Sequence, residues 1–179
     1  MVDLPKHPVL RGHPVHAMLT DLPIGLLPGA IAATVAARGK RRRSPQSRLS
    51  DALTLMTFAS GAGAAAFGIW DWLTIPRDHA AWTPATLHGL VNATGLAVLG
   101  AAVLSPRRRL LALATVGGVT LVGAWLGGEL VFSHGWRVKP AEEYEIVAER
   151  VRAGADGTAL GEAEREVESF ERQKTFLAR

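Results

Sequence analysis

The chain has 179 residues, 48% of them hydrophobic and 20% charged, with no cysteine and a formal net charge of +4. Zero cysteines exclude a disulfide framework, thiolate zinc sites, iron–sulfur ligation and covalent c-type haem attachment, so any bound metal must use nitrogen or oxygen ligands. The averages conceal two unlike parts: before Pro140 the acids are Asp3, Asp21, Asp51, Asp71, Asp78 and Glu129, whereas residues 141–179 carry ten acids against six basic residues.

Four apolar stretches follow in order, at 17–37, 52–75, 86–104 and 110–132. Each is about long enough to cross a hydrocarbon core of roughly 30 Å at about 1.5 Å rise per residue. A soluble bundle would carry a charged face on each helix. These stretches are Gly, Ala, Leu and Val with few charges, which predicts an all-α, four-helix transmembrane bundle over 1–140. No signal peptide is evident, and the first stretch keeps Asp21, Pro23 and Pro28 without a small-residue cleavage site.

The link after the first stretch holds Arg38, Lys40, Arg41, Arg42, Arg43 and Arg48, and the link after the third holds Arg107, Arg108 and Arg109. Both fall on one side of a four-span bundle, nine cations against the five of Lys6, Arg11, Arg77, Arg137 and Lys139. That bias predicts cytoplasmic arginine links and extracytoplasmic termini. Arginine runs pinned between apolar spans read as topology signals, not as a nucleic-acid patch.

The polar residues collect at the other end. His7, His13, His16, His79, His88 and His134 sit at or beyond the outer ends of the spans, as do Asp21, Asp71, Asn92 and Glu129. An ionisable group inside a span costs about 2.5–3.5 kcal/mol on insertion scales, so it is usually paired, solvated or functional. His13 precedes Pro14, a good first helical position, and reads as a helix start. His7 and His79 read as solvated loop residues, and Trp70 and Trp72 around Asp71 suit an interfacial belt.

Small residues recur at helix-contact spacing, at Gly25 and Gly29, Ala64 and Gly68, and Gly123 and Gly127, which lets helices approach closely in lipid. A weak duplication runs through the order: His16, Asp21, Gly25, an arginine link and Asp71, then His88, Asn92, Gly95, an arginine link and Glu129. It predicts two hairpins related by an axis along the membrane normal, with His16 opposite His88 and Asp71 opposite Glu129.

Three chemistries fit that cluster. His16 and His88 from different helices suit axial ligation of a non-covalent b-type haem, with Asn92, Asp71 and Glu129 around it. His13, His16, His88 and His134 offer nitrogen ligands to a transition metal such as zinc, iron or copper, with a carboxylate as ligand or orienting acceptor. The same groups also suit a proton or ion pathway in a small transport protein. A membrane scaffold with a purely structural polar cluster is a further reading.

His13-Pro14-Val15-His16-Ala17-Met18-Leu19 and Leu22-Pro23-Ile24-Gly25-Leu26 resemble the opening motif of a bacterial family of four-span membrane proteins catalogued only as a domain of unknown function. Asp71-Trp72-Leu73, His88-Gly89-Leu90-Val91-Asn92 and Gly127-Gly128-Glu129-Leu130-Val131 with His134-Gly135 are similar to its later motifs, and the resemblance covers about residues 7–138. In some relatives the domain is joined to a Rieske iron–sulfur domain or a cytochrome c. The resemblance thus implies a place in electron transfer. A redox protein at the outer face and a second copy of the chain are the candidate partners, and a binding subunit is expected more than a stand-alone enzyme.

Residues 141–179 form a charged tail. Tyr144, Val147 and Val151, then Ala163, Val167 and Phe170, recur at helical spacing, with a break at 154–161, which predicts a short amphipathic helical tail.

Overall fold

In the computed structural model of the chain, residues 9–10, 13–134, 161 and 165 are described. The chain divides into two compact units, Met1–Leu130 and Val131–Arg179. Most of the tail, with its two expected helices, lies outside the described residues. Gly161 and Arg165 are helical, and Arg165 Nε donates to the Gly161 carbonyl at 2.8 Å.

The fold is an all-α four-helix bundle: α1 spans Val15–Ala36, α2 Pro45–Leu73, α3 Trp82–Leu104 and α4 Arg109–Phe132. All four are long and apolar enough to cross a membrane, and the chain is a multi-pass membrane protein. The outward faces are apolar as well, with Leu22, Leu55, Leu90 and Leu121 each more than half exposed. In water those faces would be costly, whereas hydrocarbon solvates them. Ahead of α1, β1 (Val9–Leu10) and β2 (His13–Pro14) form a two-residue antiparallel ladder with Leu10 opposite His13. His13 therefore lies in this ladder and the helix begins two residues later, with Pro14 as its N-cap.

The second helix starts well before the apolar stretch that marks it. Ser44 accepts from the Ser47 N–H at 3.2 Å and Pro45 takes the first helical position, a cap and start that satisfy orphan donors. The third likewise begins at Trp82, ahead of 86.

The bundle closes around Leu27 and Ala30 of α1, Leu99 and Ala102 of α3, and Leu113 and Val116 of α4, with Leu53 and Phe58 of α2 packed against them. The buried positions repeat between the halves. In α2 they are Ser50, Thr54, Thr57 and Ala64, and in α4 Arg109, Leu113, Val116 and Gly123, at the same intervals. Leu27 and Ala30 stand at the same intervals from His16 as Leu99 and Ala102 do from His88. Two parallel-oriented hairpins, α1–α2 and α3–α4, thus present matching inner faces.

At the arginine-link end one buried guanidinium joins the helices. Arg109 Nη1 donates to Asp51 Oδ1 at 2.5 Å and to Ser50 Oγ at 3.1 Å, and its Nε donates to the Ala102 carbonyl at 3.1 Å. Ser50 Oγ in turn shares a 2.8 Å hydrogen bond with Thr34 Oγ1. Residues from all four helices meet in this network.

Candidate functional site

The opposite end carries the histidines. His16 lies in the first turn of α1 and its Nδ1 is 2.9 Å from the Ala64 carbonyl of α2. His88 lies two turns into α3 and its Nδ1 is 2.9 Å from the Gly123 carbonyl of α4. A carbonyl oxygen only accepts, so in each bond Nδ1 carries the proton and a neutral ring keeps its lone pair on Nε2.

Each imidazole also rests on a glycine one turn beyond its acceptor. A Cβ at Gly68 would lie 2.7 Å from His16 Cε1, and one at Gly127 would lie 3.1 Å from His88 Cε1. The small pairs Ala64 and Gly68, and Gly123 and Gly127, are therefore the seats of the two histidines. Acceptor, glycine and ring recur in both hairpins.

The two seats differ at one position. Asn92 Nδ2 is 2.9 Å from His88 Nε2, and a Cβ at Gly123 would come within 2.5 Å of Asn92 Oδ1. The equivalent of Asn92 in the first hairpin is Thr20, whose hydroxyl donates to its own Ala17 carbonyl at 2.7 Å. Among the described residues His16 Nε2 has no hydrogen-bond partner.

This register corrects two expected matches. Asn92 pairs with Thr20 and not with Asp21, which is exposed on α1. Glu129 pairs with Trp70, one position from Asp71, so the two acids are not equivalent. Both carboxylates are half-buried near the histidine end.

Beside the histidines, Trp72 and Trp82 stack with centroids 4.8 Å apart, and the Arg77 guanidinium lies 5.9 Å from the Trp82 ring. Trp72 Nε1 donates to Thr86 Oγ1 at 2.9 Å. Trp72 is thus turned into the bundle while Trp70 is exposed. His79 is half-buried, and its Nδ1 accepts from the Ala81 N–H at 3.0 Å, ordering the link instead of standing free in solvent.

Among the described residues no three His, Asp or Glu side chains come close enough to hold a metal ion. His134 belongs to the second unit, and the His13 side chain and His7 lie outside the described residues. The two rings differ in what is left to a ligand: His16 Nε2 has no hydrogen-bond partner among the described residues, whereas His88 Nε2 is engaged by the Asn92 amide.

Two hairpins with matching histidine seats, four apolar spans and a basic end define a four-span helical membrane protein. Residues 12–140 match the family described as predicted membrane protein (DUF2231), and the chain belongs to that family. No curated protein and no solved structure shows a significant match.

Proposed function

We propose that the chain is a membrane electron-transfer subunit that binds a b-type haem non-covalently, with His16 and His88 as the residues that would hold it. The observation that supports it is the pair of Nδ1 bonds to backbone carbonyls on neighbouring helices. A ligating histidine is commonly held in this way, because the bond fixes the tautomer, orients the ring and raises the basicity of Nε2. A bound haem would supply one-electron redox chemistry. The chain's own part is to hold two rings at one depth of the bundle, with Asn92 keeping His88 in its tautomer. Asp71 and Glu129 stand as charged groups around the site, and a redox protein would dock at the histidine end.

The test is the absorption spectrum of the full chain purified in detergent after haem-replete expression. The expected result is a Soret band with sharp reduced visible bands, lost in His16→Ala and in His88→Ala while the helical circular dichroism is kept. A colourless wild-type protein overturns the haem reading, and elemental analysis of the same sample reports any transition metal held instead.

A second reading has its own support. His88 already has both ring nitrogens engaged, and hydrogen bonds between membrane helices hold bundles together at about 0.6 kcal/mol each on average. On this reading the histidines are clamps within each hairpin, and the colourless protein would lose stability in both alanine variants.

A further inference from the structure

We propose that the arginine-link end is a binding surface for anionic phospholipid headgroups, engaged by guanidinium forks from both hairpins. The inference is independent of any cofactor. Asp51 is the acid nearest this end among the described residues, and Arg109 occupies it. The remaining cations of the two links are exposed and have no acidic partner among the described residues. They lie where the apolar spans end, and cations that flank a span are drawn to an anionic membrane surface.

Two observations go beyond a topology signal. Lysine and arginine serve equally to orient a membrane protein, yet Lys40 is the lone lysine among the cations of these links. Arginine presents a planar fork that binds phosphate oxygens in pairs, which lysine cannot do. The links are also ordered. Arg38 N donates to the Val35 carbonyl, Lys40 N to Ala37, Ser44 N to Arg41 and Arg108 N to Ser105, all at 2.9–3.1 Å. Gly39 supplies the positive φ of 72° that the first turn needs, and Ser47 Oγ closes on the Arg41 carbonyl at 3.1 Å. Arg41, Arg42, Arg43, Arg107 and Arg108 therefore project from a backbone already fixed, and the Arg109 network ties the second link to the start of α2.

The measurement is thermal unfolding of the full chain in an uncharged detergent, with added phosphatidylcholine, cardiolipin or inorganic phosphate at equal phosphate. Cardiolipin should raise the midpoint by several degrees, less so in high salt, and the other two should leave it unchanged. Replacing Arg41, Arg42, Arg43, Arg107 and Arg108 together by glutamine should abolish the rise. Replacing the same five by lysine keeps the charge that guides insertion and should retain less than half of it. An equal rise with phosphatidylcholine or with free phosphate, or a full rise in either variant, overturns the proposal.

Discussion

Arg109 is enclosed by the bundle at the very end where its neighbours Arg107 and Arg108 are exposed. Its side chain is 7% exposed and that of its partner Asp51 is 56%, and this inequality sets what each substitution does. Removing the carboxylate strands a desolvated guanidinium, whereas removing the guanidinium leaves an acid that water can reach. Asp51→Ala should therefore cost about 2–3 kcal/mol and Arg109→Leu about 1 kcal/mol or less. The double variant should be more stable than Asp51→Ala alone, which a double-mutant cycle in denaturant-induced unfolding would measure; equal costs for the two single changes would contradict the argument. The arginine was legible in the sequence as a cation but not as a buried one. Three consecutive arginines look alike until the rotation of α4 decides which of them faces inward.

At the scale of the helix pair, the recurring unit is an imidazole seated over a glycine and bonded one turn away. Gly68→Ala would push against the His16 ring at 2.7 Å, whereas a Cβ at Gly63, less than two turns earlier in the same helix, meets nothing within 4 Å. The ring can swing aside, so the cost is the lost bond to Ala64, about 1–2 kcal/mol. Gly63→Ala should be neutral or stabilise by up to about 1 kcal/mol. Unfolding midpoints of the two variants check this, together with the His16 ring signals in nuclear magnetic resonance spectra, which should move in Gly68→Ala alone. Both the histidines and the small-residue pairs stood out in the sequence, but their partnership did not. The acceptors are backbone carbonyls, and a carbonyl leaves no trace in residue identity. The start of α2 was hidden for another reason: Gln46, Ser47 and Arg48 lower the hydropathy there, although Ser44 followed by Pro45 is a legible cap and start.

For the whole molecule, charge is divided between the ends. Arg38, Arg43 and their neighbours gather at one, while Asp21, Asp71, Asp78 and Glu129 gather at the other with Arg77. This polarity favours cytoplasmic arginine links. The lack of cysteine gives a background-free test, since single cysteines placed at Arg43 and at Asp78 report their own accessibility. Label applied outside intact cells should reach Asp78→Cys and spare Arg43→Cys; the reverse pattern would invert the orientation. Four spans and their order were legible because hydropathy over some twenty residues averages out local error.

The two hairpins share their buried intervals and their histidine seats, yet Asn92 stands where the first hairpin has Thr20. One imidazole is thereby restrained at both nitrogens and the other at one. A scaffold with near two-fold symmetry so houses two non-interchangeable rings, and the molecule acquires a sidedness within the membrane plane in addition to the one its charges set across it.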